Sequence, residues 1–251
     1  MQLSIDGKIV KANPGEYVLQ VAQRNGIDIP TLCHHPAVEP WGGCRLCVVE
    51  ITHADWGGWK GLVTACLYPV QEGLIVSTAN EKVHTVRAGV LDLLLARCPE
   101  SELIQNLAHE YGIEKTSFVP RPNPDLCILC GLCVRICEKI GASAISTIGR
   151  GVDKIVSVPY ETEENHACIG CLACANICPT GEITYTQDDK TRSIWGRTFE
   201  LVYCEDCGAP IGTPEQLKHY SERSGLDMSY FTKCDRCRNR EAAARFARVT
   251  F

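Results

Sequence analysis

Several things are missing from this sequence. No tract is long and apolar enough to span a bilayer, and no positively charged, apolar signal segment follows Met1. The expectation is a cytoplasmic chain. Neither G-x-G-x-x-G after a strand nor G-x4-G-K-S/T occurs, and Gly149 and Gly151 do not make a phosphate loop. Rossmann and P-loop nucleotide sites are therefore not indicated. Basic charge is in deficit, with 25 Lys and Arg against 30 Asp and Glu and a formal net charge of -5, which argues against a general nucleic-acid binder. What is abundant is cysteine, at 17 in 251 residues. An odd number in a chain expected to be cytosolic reads as metal binding and not as disulfides.

Eight of the 17 fall in two copies of one pattern. They are Cys127-x2-Cys130-x2-Cys133-x3-Cys137 and Cys168-x2-Cys171-x2-Cys174-x3-Cys178-Pro179, the ligand spacing of a ferredoxin with two [4Fe-4S] clusters. A tight triplet wraps one loop around three corners of a cubane, and the fourth thiolate comes from the other motif. The sets expected are Cys127, Cys130, Cys133 and Cys178 for one cluster, and Cys168, Cys171, Cys174 and Cys137 for the other. Zinc usually takes two C-x2-C pairs, so it fits these triplets poorly. Between Cys137 and Cys168, the alternation of Ile145, Ile148, Ile155 and Val158, interrupted at Gly149-Arg150-Gly151, predicts an inserted hairpin.

Ahead of these motifs, Met1 to Ile5, Asp6-Gly7 and Lys8 to Ala12 predict a β-hairpin, because Asp-Gly supplies the positive φ of a tight turn. A short helix with Val18, Val21 and Ala22 on its apolar face is expected next, ended by Gly26. Then come Cys33, Cys44, Cys47 and Cys66 as C-x10-C-x2-C-x18-C, four thiolates suited to a [2Fe-2S] rhomb but not of the plant-type C-x4-C spacing. His34 and His35 invite a Rieske-type reading, which four available cysteines make unnecessary. Hydrogen bonding near the loop is their expected use.

Hairpin, helix and cysteine loop follow in the order of a β-grasp ferredoxin. The segments PTLCHHPAVEPWGGCRLCVVEI and LVTACLYPVQEGLIVST resemble the N-terminal ferredoxin domain of the large iron-sulfur subunit of respiratory complex I. Related domains occur in the diaphorase small subunit of NAD-linked hydrogenases, in [FeFe]-hydrogenases and in NAD-linked formate dehydrogenases. The resemblance continues through the two-cluster motifs. Larger relatives carry H-x3-C-x2-C-x5-C after the helix expected at Glu81 to Arg97, whose apolar face is read as Val83, Val86, Val90, Leu93 and Leu94. Here only Cys98 and His109 remain as possible ligands, so that cluster is expected to be absent and the stretch to be a helical spacer. Cys98 is then a buried thiol packing as a small hydrophobe.

The C-terminal end carries Cys204-x2-Cys207-Gly208 and Cys234-x2-Cys237, separated by 26 residues. Paired knuckles suit a tetrahedral zinc site, with a third [4Fe-4S] cluster as the alternative. Arg236, Arg238, Arg240, Arg245 and Arg248 make this end basic and are expected on a solvated or partner-facing helix. Trp41, Trp56 and Trp59 flank the [2Fe-2S] loops, where local packing and subunit docking both account for them. His166, two residues before Cys168, is either a tuning group for the adjacent cluster or an exposed loop residue.

The reading is an α+β chain of four parts: a β-grasp [2Fe-2S] domain over 1–80, a helical spacer over 81–120, a two-[4Fe-4S] ferredoxin domain over 121–190 and a four-cysteine zinc-ribbon-like module over 191–251. No catalytic residue is assigned. The chain is expected to bind one [2Fe-2S], two [4Fe-4S] and one Zn2+, with no flavin or NAD of its own. The resemblance implies a subunit of a hetero-oligomer that relays electrons between a flavin- and NAD(P)-binding subunit and a hydrogenase, formate dehydrogenase or ferredoxin-linked flavoprotein, with electron bifurcation as one mode of use. A redox-sensing regulator that binds nucleic acid and a succinate-dehydrogenase-type subunit are the rival readings.

Overall fold

The structure, a computed structural model, describes residues 1–159 and 167–247, so that His166 and Arg248 lie outside it. Two units are distinguished: Met1–Ile136 with Thr147–Val156 and Ile177–Glu182, and the described parts of Cys137–Ser146, Ser157–Asn176 and Ile183–Phe251.

In the first unit, Asp6 and Gly7 both take positive φ and join β1 (Gln2–Ile5) to β2 (Lys8–Lys11). The Asp6 carboxylate accepts from the Thr78 amide at 2.7 Å, tying this turn to a distant segment. With β3 (Val48–Thr52), β4 (Lys60–Thr64) and β5 (Ile75–Ser77) the strands form one sheet in the order β2-β1-β5-β3-β4. The β1–β5 pair is parallel and the others antiparallel. Helix α1 (Val18–Arg24) is too short to persist alone. It buries Val18, Leu19, Val21 and Ala22 against Leu3, Ile5, Val49, Ile51 and Val76. Each fully buried Val or Leu stabilises by about 1.5–3 kcal/mol relative to exposure, which is what holds the helix.

Helix α2 (Glu81–Arg97) has the expected bounds and starts where the Asn80 side chain accepts from the Val83 amide. Its buried face differs from the expected one. Val83, Arg87, Leu91 and Leu95 form the stripe, while Leu93 is 55% exposed. Spacing of i, i+4 selects this row, and Arg87 takes a place in it because its guanidinium donates to the Val48 carbonyl at 2.7 Å. Helix α3 (Glu102–Glu110) buries Ile104 and Ala108, and the rest of the spacer is not helical. Together α2 and α3 build a second core with Leu32, Cys33, Leu46, Cys98, Ile128, Cys130 and Leu132. The loops of the first foursome and of the first triplet are thus anchored in one apolar cluster.

Helix α4 (Leu132–Ile140) carries Cys133 and Cys137, and the hairpin expected after it is present as β6 (Ser146–Ile148) and β7 (Ile155–Ser157). Helix α5 (Ala173–Ile177) follows the second triplet. In the second unit β8 (Thr186–Gln187), β9 (Thr191–Ile194) and β10 (Arg197–Glu200) form a sheet ordered β10-β9-β8. Because β8 pairs with β9, strand pairing crosses the expected boundary at 190/191. The strands β11 (Val202–Tyr203) and β12 (Pro210–Gly212) pair, and α6 (Pro214–Ser224) begins with Thr213 as its cap and Pro214 in its first turn. Helix α7 (Asp235–Phe246) ends the described chain.

Candidate cysteine metal centres

The two ferredoxin loops share one backbone. In the first, Leu129 and Gly131 take positive φ; in the second, Gly170 and Leu172 do so at the same offsets from the leading cysteine. Left-handed residues at alternate positions turn amides inward, giving a concave nest of N–H groups. The amide of Leu129 donates to the Cys127 sulfur and that of Leu132 to Cys130; Gly170 and Ala173 do the same for Cys168 and Cys171. Fixed donors of this kind are what an anionic sulfur-rich group requires.

Glycine is needed at one of these positions for space as well as for φ. A Cβ on Gly170 would stand 2.9 Å from the Phe199 ring and 3.0 Å from the Thr213 methyl. The second loop is therefore packed directly beneath β10 and the start of α6.

The structure brings Cys178 to the first triplet, where it acts on Cys130 and Cys133 electrostatically, and Cys137 to the second, where it acts on Cys168, Cys171 and Cys174. Each of the two units holds one such foursome. Burial pushes Cys130 up to about 11, Cys133 to about 12 and Cys168 to about 11. As bare thiols these three stay protonated at neutral pH; a bound cation is what would make them thiolates in so apolar a place. The lining of the second site is largely apolar, with Ala142, Ala144, Ile145, Ile169 and Ile194 around the sulfurs.

Cys33, Cys44 and Cys47 lie on the irregular segment before β3, and Cys66 just beyond β4. They converge in two pairs. The Cys47 and Cys66 sulfurs are 3.4 Å apart, and Cys33 and Cys44 hydrogen bond to each other, with the Cys44 amide 3.4 Å from the Cys33 sulfur. Hydrogen bonding from its partner holds Cys44 down at about 5 and Cys47 at about 7, while Cys33 and Cys66 are pushed up. Two thiols paired at each end fit a group with two metals, each taking two thiolates.

In the second unit, Cys204 and Cys207 sit in the β11–β12 knuckle, closed by Gly208 at φ +67 and by the Cys204 amide donating to the Ala209 carbonyl at 2.8 Å. Cys234 caps α7 and Cys237 lies in its first turn. The expected second knuckle is instead a helix start, so the module is a knuckle plus a helix and not a paired-knuckle ribbon. All four sulfurs lie within 4.8 Å of one another, Cys207 and Cys234 being 3.7 Å apart. A Zn–S length of about 2.3 Å sets tetrahedron edges of about 3.8 Å. A cubane puts a separate iron behind each thiolate and spreads the sulfurs wider. The Cys234 amide donates to the Cys204 sulfur at 3.3 Å, the first of several amides that hold Cys204 at about 6.

The remaining candidate residues have local roles. Cys98 is fully buried and donates to the Cys127 carbonyl at 3.2 Å. His109 is on the surface beside Glu114. His35 accepts from the Ala37 amide and Trp56 packs on the sheet core with Trp59 edge-on to it. Arg238 pairs with Asp235 and covers Tyr230, Arg245 pairs with Glu241, and Arg240 lies 3.9 Å from the Cys237 sulfur.

Sequence reasoning missed the residues that brace the loops. The Trp195 indole donates to the Cys174 sulfur at 3.5 Å from the β9–β10 turn. Arg197 donates to the Cys168 carbonyl at 2.9 Å, Arg192 to Gly170 at 2.7 Å and Thr213 to Ile169 at 2.6 Å. None carries a signal in the cysteine spacing.

Residues 1–81 match the family model for a 2Fe-2S iron-sulfur cluster binding domain, and residues 120–139 and 165–181 each match one for a 4Fe-4S binding domain. The chain is 29% identical to the NADPH-Fe(3+) oxidoreductase subunit alpha of Geobacter sulfurreducens, over 95% of this chain and 30% of that one. It is 30% identical to an NADH-quinone oxidoreductase subunit of Rhizobium meliloti, over 83% of this chain and 27% of that one. It thus spans about 30% of the length of the first of these relatives. Among solved structures, it matches a chain of an NAD+-reducing [NiFe]-hydrogenase in the H2-reduced state with a TM-score of 0.62 and 32% identity, over 72% of this chain and 85% of that one. Among the described residues, no helix is long and apolar enough to cross a membrane.

Proposed function

Because the chain belongs to the family of iron-sulfur electron-transfer subunits found in NADH- and NADPH-linked oxidoreductases and NAD-linked hydrogenases, we propose that it relays electrons between a flavin- and NAD(P)-binding subunit and a second redox partner. The observation that carries this reading is the convergence of twelve cysteines into three foursomes with inward amides. Cys33 and Cys44 hold one iron of a [2Fe-2S] group, and Cys47 and Cys66 the other. Cys127, Cys130, Cys133 and Cys178 hold one [4Fe-4S] group, and Cys137, Cys168, Cys171 and Cys174 a second. When bound, these groups take up and give back single electrons.

The chain's own contribution is to hold, shield and bias. Thiolates supplied in fours fix each group; the i+2 amides point partial positive charge at the sulfurs and favour the more negative, reduced form. Apolar side chains around Cys137 and the second triplet exclude water. Cys204, Cys207, Cys234 and Cys237 hold zinc, whose role is structural, since a closed four-thiolate site leaves no open position for chemistry. No side chain is assigned to substrate chemistry, which belongs to the partner subunits. The regulator reading is disfavoured by Arg238 and Arg245, whose charges are met by acidic neighbours within α7.

A metal count on anaerobically purified protein tests this. About ten iron and one zinc per chain is expected, from 2 + 4 + 4 iron. About fourteen iron without zinc would move the C-terminal foursome into the relay, and iron far below ten would overturn the reading. Reduction by NADH or NADPH is expected only when the flavin-bearing partner is added.

A further inference from the structure

Arg135 lies on α4 between Cys133 and Cys137, and its guanidinium leaves the helix to join two other segments. Nη1 donates to the Glu39 carbonyl at 2.6 Å. Nη2 donates to the Cys33 carbonyl at 2.6 Å and reaches the Cys130 carbonyl at 3.4 Å. The guanidinium carbon stands 5.7 Å from the centre of the Trp41 ring, and Trp41 in turn closes on Gly131, where an added Cβ would be 3.3 Å away. Nε is buried and has no hydrogen-bond partner among the described residues. One cation therefore grips the backbone at a cysteine of the [2Fe-2S] foursome and at a cysteine of the first [4Fe-4S] foursome, all within the first unit.

We propose that Arg135 is a positioning residue of the electron relay, holding the Cys33 loop and the Cys130 loop at a fixed spacing and lending both metal sites the same positive charge. The inference rests on the ligand sets proposed above. Its physical basis is twofold. A planar fork with five donors can serve carbonyls on two segments at once, which a lysine ammonium does not reproduce. A cation beside a site that becomes more negative on reduction favours the reduced form, and a half-buried cation is screened less than a fully exposed one. Trp41 adds a ring face over which the guanidinium lies. The midpoint potentials of the two sites should therefore respond together to one substitution.

The test is an EPR-monitored redox titration of the full chain with its clusters, comparing wild type with R135M, R135Q and R135K. The wild type must first show one [2Fe-2S] and two [4Fe-4S] signals; failure there removes the ligand assignment and says nothing against Arg135. In R135M and R135Q, both the [2Fe-2S] potential and that of the Cys127 foursome are expected to fall. R135K, which keeps charge but not the fork, is expected to shift the potentials less and to raise hydrogen exchange across residues 33–44 by about tenfold, as a two-point anchor becomes one. If R135M fails to retain its iron, R135Q and R135K carry the test. Neutral variants in which only one of the two potentials moves, or neither, overturn the proposal, as does unchanged exchange in R135K.

Discussion

At the scale of single residues, the chemistry rests on what each sulfur receives from its neighbours. Trp195 donates to a sulfur of the second ferredoxin foursome, through its indole and Cys174. Hydrogen bonds to cluster sulfurs raise a potential by relieving negative charge. In W195F the potential of the Cys168 foursome is expected to drop while the other two hold, as read by EPR titration. Cys98 makes the opposite case, a buried thiol outside the proposed ligand sets. Burial pushes it up to about 12. The folded state therefore keeps the proton more tightly than the unfolded chain, whose thiol titrates near about 8.5. The stabilisation from this group is complete below that pH and is lost as pH rises toward 12. Native holoprotein at pH 8 should resist alkylation at Cys98, and peptide mass spectrometry should find it modified only after unfolding. That Cys98 was the spare cysteine was legible by counting; that it was buried was only an expectation.

At the scale of elements, bounds were easier to read than faces. Asn80 and the following acidic residue mark the start of α2, and its apolar run gives its length, so Glu81 to Arg97 could be read directly. Several apolar stripes are available on so apolar a helix, and the choice among them is made by what packs there. The row Val83, Arg87, Leu91, Leu95 wins because Val48 and Tyr111 supply acceptors for Arg87. Accordingly L91A, which empties a fully buried site, is expected to cost about 2–5 kcal/mol, whereas L93A should stay within about 0.5 kcal/mol. Thermal melts of the holoprotein check this: a drop of several degrees for the first and none for the second. The C-terminal pairs show the same limit. Spacing located Cys234 and Cys237, but a C-x2-C pair is compatible with a knuckle or with the first turn of a helix, and the sequence DRCRNREAAARF after Cys234 favours the helix through its Ala and Arg content.

At the scale of the whole molecule, the C-terminal segment is part of the support of a metal site and not an appendage. Arg192, Arg197 and Thr213, from three different elements, take the carbonyls of the second cysteine loop, and Phe199 fills the space that Gly170 leaves. A chain truncated after Glu182 keeps all twelve ferredoxin-type cysteines yet loses these braces. Its iron content is expected to fall from about ten to about six, with the [2Fe-2S] signal and one [4Fe-4S] signal retained. Iron analysis and EPR of the truncated protein decide it; a full complement of ten would show the braces to be dispensable.

The sequence by itself determined the chemistry. Three cysteines at two-residue intervals admit one wrapping around a cubane, and Asp-Gly, Asn80 and Thr213-Pro214 mark local turns and caps, because these effects act over a few residues of chain. Only the tertiary structure decided which side chains brace each loop. Arg135 reaches residues about a hundred positions away, and Trp195 one 21 positions away. Contacts at that separation depend on how the cores pack, and no local pattern encodes them. For the same reason the sulfur-to-sulfur spacing of the C-terminal foursome had to come from the fold: it depends on how closely the knuckle and the helix start approach, which the cysteine spacing does not encode.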